Sequence, residues 1–337
     1  MTAMRALKLS VLDQSVSVAG STEDAAIRDT LDLAQHCERL GYSRFWVSEH
    51  HGLPTIIGSA PEILMAAIAA RTTRIRIGSA GVMLPHYSAL KVAEQFRVLE
   101  ALAPGRIDLG VGRAPGGDMR TARALNPNAH AAADHFPEQV RDLQAWTTLP
   151  EHHGIAAHPF GPQAPEVWIL GSSNYGAQLA AHFGLPYAYA YFFVDGQGAD
   201  EALALYRRLY RPSERHPEPN ATVCVWALVA ETHGEAVHHA LGRERWRVDR
   251  AKGVLGPLQP PDAIAKRGFT ADEWPTVEAM RAKAFVGTPG EVGVQLRALA
   301  DELELGEIVV NTWAHDPTVR RRSYALLARE FGLEANA

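Results

Sequence analysis

Cysteine is almost absent: Cys37 and Cys224 are the only two, and they lie far apart. Neither belongs to a CxxC pair, so a disulfide scaffold and a thiolate zinc site are both excluded. Long apolar runs are missing as well. The longest, near residues 63–70, falls far short of the roughly 20 residues a membrane-spanning helix needs. The first dozen residues hold one arginine and one lysine but no extended apolar stretch with a cleavage site, so no secretion signal is read there. Positive charge is not in excess either. Lys and Arg number 33 against 38 Asp and Glu, a net charge of −5, which argues against a broad basic surface for nucleic acid. What remains is ordinary for a soluble protein, with 47% hydrophobic and 21% charged residues, and it excludes disorder for the bulk of the chain. A cytoplasmic enzyme is the expectation. The 337 residues accommodate two average domains, or one α/β barrel of roughly 250 residues with insertions.

Apolar runs and helical stripes alternate along the chain. Strands are expected over 7–13, 45–47, 75–84, 106–111, 166–170, 186–190, 222–229 and 306–311. Helices are expected over 21–41, from 61 to about 70, and over 88–102, 134–147, 174–183, 198–210, 234–246 and 318–331. Pro61 opens one of them, and Gly41 and Gly184 close two others. Eight strands, each followed by a helix, predict parallel strands with right-handed crossovers. The fold class is therefore α/β, a (β/α)8 TIM barrel with insertions at the C-terminal face of the strands, and residues 1–337 form one domain. Two stretches exceed ordinary connections, 112–133 and 247–287, and both are candidate covers for a site. Arg320-Arg321-Arg322, on the last helix, is expected to be a solvated face.

Active sites in such barrels form at the C-terminal ends of the strands. That rule selects Ser48-Glu49-His50-His51 after strand two, Ser79-Ala80-Gly81 on strand three, Arg113 after strand four, Gly171-Ser172-Ser173 through Gly176 after strand five, and Asn311 to His315 after strand eight. Ser172 and Ser173 stand where a strand feeds a helix N-terminus, a setting for an anion, and Arg113 can add a guanidinium from the neighbouring strand. His50 and His51 are adjacent near a strand end, so their side chains diverge. One suits acid–base work in the mouth while the other faces the shell, and no metal clamp is expected from them. His86 and His315 are weaker candidates on the same ground. Tyr87, Tyr191, Phe192, Phe193, Trp226 and Trp313 are available to line a pocket or to fill the core.

These motifs carry a resemblance. Phe45-Trp-Val-Ser-Glu-His-His51, Ile77-Gly-Ser-Ala-Gly-Val-Met-Leu-Pro85 and Gly105-Arg-Ile-Asp-Leu-Gly-Val-Gly-Arg113 are similar, in order, to the strand-two, strand-three and strand-four signatures of the bacterial luciferase-like monooxygenases. Gly171-Ser-Ser, Ala180-Ala-His-Phe-Gly-Leu-Pro186 and Phe285-Val-Gly-Thr-Pro289 continue the series over nearly the whole chain. The resemblance implies FMN across the barrel mouth. Arg113, Ser172 and Ser173 would contact its phosphate, with Gly171 and the Gly176 backbone beside them. Its ring would rest on Ser79, Ala80 and Gly81, with a cis peptide between Ala80 and Gly81. His50 takes the place of the catalytic histidine. Ser172 replaces an acidic residue, and Gly176 a threonine, of luciferase itself.

The implied activity is a flavin-dependent monooxygenase. Reduced FMN from a separate flavin reductase and O2 would give a C4a-peroxyflavin that oxygenates a small organic substrate. Two other readings stay open, a deazaflavin (F420)-dependent dehydrogenase on the same barrel and a non-catalytic flavin-binding protein. The family also implies a homodimer, and no nucleic-acid or membrane partner is expected.

Overall fold

The computed structural model describes residues 7–333. Among these residues nine strands are present: β1 Lys8–Asp13, β2 Arg44–Val47, β3 Arg76–Met83, β4 Ile107–Gly112, β5 Glu166–Gly171, β6 Tyr187–Tyr189, β7 Ala221–Val229, β8 Phe285–Gly287 and β9 Glu307–Asn311. The helices are α1 Glu23–Arg39, α2 Pro61–Ala69, α3 Ala89–Leu102, α4 Met119–Leu125, α5 Ala129–Asp134, α6 Phe136–Thr148 and α7 Asn174–Phe183. They continue with α8 Ala199–Leu209, α9 His233–Ala251, α10 Pro261–Arg267, α11 Trp274–Arg281, α12 Pro289–Glu302 and α13 Pro317–Glu330. Among these described residues no helix is long and apolar enough to cross a membrane.

All strand pairings are parallel. Strands β1 to β7 pair in sequence order, β7 pairs β9, and β9 returns to β1. The closed ring of eight, surrounded by helices, is the (β/α)8 barrel, and its eight strands are the eight read from the sequence. Parallel strands covered on both faces are apolar throughout, and β1 and β9 are buried along nearly their whole length. Leu12, Trp46, Trp168, Ala188, Cys224 and Val309 fill the barrel interior. Trp46 and Trp168 meet edge to face with centroids 5.2 Å apart. Gly78 makes room for them, since a Cβ there would stand 2.5 Å from the Trp46 ring. Outward-facing residues such as Val11, Phe45, Ile77 and Leu109 pack against the helices in a second, larger cluster.

The starts of the strands carry a charge network. Arg44 pairs Asp108 at 2.9 Å, Glu166 at 3.1 Å and Glu307 at 3.0 Å. Arg76 reaches the same Asp108 and Glu166, and the Trp46 indole donates to Asp108 at 2.9 Å. Buried charges persist where several partners satisfy them. This end belongs to stability, which leaves the opposite end for chemistry.

Three departures from the sequence reading matter. The strand β8 and the helix α12 sit between the last two barrel strands; β8 pairs only the outer part of β7, at Ala227 to Val229. Helix α9 runs to Ala251, so the long stretch after residue 247 begins inside a helix and then holds α10 and α11. Finally, Arg320 is not on a solvated face. It is 4% exposed and pairs Asp13 at 2.7 Å as well as Asp29, tying α13 to β1 and α1. Arg321 joins Asp29 at 2.6 Å, and only Arg322 of the three lies on the surface, against Glu231.

Candidate active site

The end of β2 separates its two histidines as alternation demands. His51 donates from Nε2 to Glu49 at 2.7 Å. Glu49 is itself buried and accepts from the Tyr87 hydroxyl at 2.7 Å and the Met83 amide at 3.1 Å. His51 therefore belongs to a polar clasp between the ends of β2 and β3, and burial beside Glu49 drives the Tyr87 pKa upward. His50 turns the other way, into a cavity of about 380 Å³. Its Nδ1 lies 3.2 Å from Ser48 Oγ, and its second ring nitrogen has no protein partner among the described residues. Burial holds its pKa down to about 4; Glu49 opposes the shift, while His51 and Arg250 reinforce it. The ring is neutral at physiological pH.

Strand β3 is interrupted beside β4, where the register shifts between Ser79 and Val82. The Ala80–Gly81 peptide is cis. A Cβ at Gly81 would run into Leu170 and stand 2.7 Å from the Gly110 carbonyl oxygen, and one at Gly110 would overlap the Ser79 carbonyl. Ser79 Oγ donates to that same Gly110 carbonyl at 2.8 Å. The result is a patch of bare backbone, with half-buried Ala80 above the interior cluster. A flat ring can approach such a surface closely.

Arg113 and the start of α7 come together. The guanidinium carbon stands 4.0 Å above the Tyr175 ring, which belongs to the first turn of α7. Ser173 is the N-cap, yet its side chain makes no capping bond. The first-turn N–H groups of a helix lack intrahelical acceptors. A cation, an uncommitted hydroxyl and free amides thus converge in a seat for an oxyanion. Gly171 and Gly176 lie back to back, and a Cβ on Gly176 would press the Tyr187 ring at 3.2 Å.

Sequence reasoning missed part of the cavity wall. Gln14 accepts from Asn311 Nδ2 at 2.6 Å and from the Trp313 indole at 3.1 Å. Arg243, Arg247 and Arg250 of α9 line the same cavity. Their spacing of four and three residues is a visible cationic stripe, but such a stripe ordinarily faces water. Of the six aromatic candidates, Phe192, Phe193, Trp226 and Trp313 line the cavity and Tyr87 and Tyr191 do not. His86 and His315 bond backbone carbonyls of Pro115 and Ala19, at 2.8 and 2.9 Å. Away from the mouth, Asp142, His152 and His153 on α6 and the following loop bring ligand atoms within 4.8 Å of one another. A groove of about 610 Å³ lined by Arg76, Glu166 and Arg215 lies at the strand starts, away from His50.

A closed parallel barrel with its polar and aromatic groups gathered at the strand C-termini is the class that fold and site define. The family model for luciferase-like monooxygenases matches residues 7–306, and the chain belongs to that family. It is 41% identical to the uncharacterized protein YwcH of Bacillus subtilis (strain 168), over 96% of this chain and 99% of that one. It is 37% identical to a luciferase-like monooxygenase of Escherichia coli (strain K12), over 96% of both. The crystal structure of apo-MsnO8 superimposes with a TM-score of 0.90 at 38% identity, covering 97% of this chain and 99% of that one. Two more distant structures share the fold alone. They are the FMN complex of the oxygenating constituent of 3,6-diketocamphane monooxygenase from Pseudomonas putida (TM-score 0.71, 17% identity, 96% of this chain and 97% of that one) and an F420-dependent secondary alcohol dehydrogenase (0.68, 13%, 96% and 99%).

Proposed function

We propose that the protein is a flavin-dependent monooxygenase that takes reduced FMN from a separate reductase, together with O2, and oxygenates a small organic substrate. The observation that carries this reading is the order of three features across one mouth. The oxyanion seat at Arg113 and α7 is followed by the bare backbone of β3, and that by a tryptophan-lined cavity holding a neutral histidine. Arg113, Ser172, Ser173 and the first amides of α7 would hold the phosphate, with Gly171 and Gly176 admitting it. Ser79, Ala80 and Gly81 would support the ring. Reduced FMN, when bound, supplies the two electrons that let one atom of O2 enter the substrate and the other leave as water.

The chain's own part is acid–base control and exclusion of water. Ser48 can donate to His50 Nδ1 or accept from it, so either tautomer is supported and the far nitrogen can present an N–H or a lone pair to the mouth. Low basicity keeps His50 uncharged beside the cavity. Trp226, Trp246 and Trp313 supply apolar wall, and the stretches inserted after β4 and β7, which hold α4, α5, α10 and α11, are the candidate covers for the opening. We propose in addition that α2 and α3, which expose Ile63 and Leu102 at 67% and 61%, form the face between two copies of the chain.

Anaerobic fluorescence titration tests the cofactor. Reduced FMN is expected to bind more tightly than a reduced deazaflavin; the opposite order favours the dehydrogenase reading, and binding of neither defeats both. Turnover with a substrate then separates a catalyst from a passive flavin carrier. His50→Ala is expected to abolish product while flavin binding persists, and an unchanged rate removes His50 from the chemistry.

A further inference from the structure

We propose that the cavity beneath α9 selects an organic oxyanion, a carboxylate- or sulfonate-type substrate whose charged head is held by Arg243 and Arg250 and whose apolar remainder lies against Trp226, Trp246 and Trp313. The proposal rests on the flavin reading above, which gives the Arg113 seat to the cofactor phosphate.

Positions 243, 247 and 250 share one face of α9, and all three side chains line the cavity. No carboxylate lines it among the described residues. Arg247 is already neutralised, in a two-pronged pair with Asp195 at 2.6 and 2.7 Å. Arg243 has no such partner. Its guanidinium lies 4.3 Å from the centroid of the Trp226 ring and donates to the Phe192 carbonyl at 3.3 Å, and no carboxylate of the described residues comes within 4.0 Å. A half-buried guanidinium with no carboxylate in direct contact gains from an anionic ligand. Burial, reinforced by Arg247, lowers the Arg243 pKa to about 9, while Asp195 and Glu244 act in the opposite direction from beyond hydrogen-bond reach. Arg250 stands over Phe193 and Trp246, at 5.7 and 5.2 Å, again with no carboxylate among the described residues. Beside them the Trp226 indole N–H is buried with no acceptor among the described residues.

The place in the barrel separates this cluster from the phosphate seat. Arg113 and α7 follow β4 and β5, whereas α9 follows β7 and faces Gln14 and Asn311 at the ends of β1 and β9. Two cationic groups therefore occupy different sectors of one mouth, with His50 belonging to the second. An anion on Arg243 and Arg250 fixes one end of the substrate, and the indoles of Trp246 and Trp313, edge to face at 4.8 Å, leave an apolar path for the rest.

Tryptophan fluorescence reports binding directly. The probes are 4-phenylbutyrate and its uncharged amide, titrated with and without FMN. The wild type is expected to prefer the acid by about tenfold or more, the worth of a charge-assisted hydrogen bond. Arg243→Met is expected to erase the preference. Arg250→Met, at an exposed site where folding is not at risk, is expected to reduce it several-fold. FMN affinity should stay within about twofold in both variants. Equal binding of acid and amide, or binding of neither, overturns the proposal. So does a preference that survives the double substitution. A loss of FMN affinity in these variants overturns it too, by giving the arginines to the cofactor. Failure of the flavin reading appears separately, as a wild type that binds no FMN at all.

Discussion

Replacing Arg113 with Met separates a phosphate contact from a structural one. The side chain is exposed, and its guanidinium stands over the face of Tyr175 at 4.0 Å. Losing an exposed cation–π contact costs about 0.5–1 kcal/mol. With an unfolding entropy of about 0.7 kcal/mol/K, scaled to a chain of this length, Tm should fall by less than about 2 °C. The effect on FMN should be much larger. A guanidinium hydrogen-bonded to phosphate contributes about 1.5–3 kcal/mol, which is about 10- to 150-fold in Kd. Riboflavin lacks the phosphate and serves as the control. Flavin fluorescence quenching should show Arg113→Met binding FMN far more weakly while riboflavin affinity stays within about twofold. An unchanged FMN affinity, or an equal loss for both flavins, refutes the assignment of the seat to the phosphate.

Other perturbations address the ring platform, the buried ion pair and His50. Gly81→Val forces side-chain atoms into Leu170 and Gly110; it should cost about 1–3 kcal/mol in thermal unfolding and weaken FMN and riboflavin alike, in contrast to Arg113→Met. Arg320→Met strands the buried Asp13 carboxylate and should cost about 3–5 kcal/mol, about 4–7 °C in Tm by the same entropy scaling, with Asp13→Asn in the same chain restoring part of the loss. The pKa of His50, held at about 4, lies below its unfolded value of about 6.5. Above pH 6.5 both states are neutral there and the group contributes nothing. Between pH 6.5 and 4 the unfolded chain takes up the proton first, so stability falls by up to about 3 kcal/mol. Denaturant titrations should show a shallower acid slope in His50→Gln than in the wild type; identical slopes contradict the burial argument.

The barrel was legible because each of its eight strands is buried on both faces and therefore reads as an apolar run, β7 above all. Placement at strand ends was legible too, since alternation alone divides His50 from His51. The insertion after β7 was harder. Thr288 and Glu291 form the capping box of α12, with Pro289 at its first position, a local signal that could have revealed that helix, but β8 is three residues long and, among the described residues, pairs only β7. Arg320 could not be placed from its surroundings in sequence, because its partner Asp13 is 307 residues away. The α9 arginines were hidden for the opposite reason. A helical stripe of arginine looks solvated until the fold sets that face over a cavity, and only the tertiary arrangement shows that Arg247 is paired directly with Asp195 while Arg243, among the described residues, has no carboxylate within 4.0 Å.

The central claim is that one mouth holds FMN with its phosphate on the β4–β5 side and leaves the α9 side for substrate. A crystal structure of the protein soaked with FMN tests this most directly. The expected structure has the phosphate against Arg113, Ser172 and Ser173, the ring over Ala80 and Gly81, and an open cavity between His50 and Arg243. A phosphate seated on Arg243 and Arg250 would contradict it, as would a ring placed away from β3.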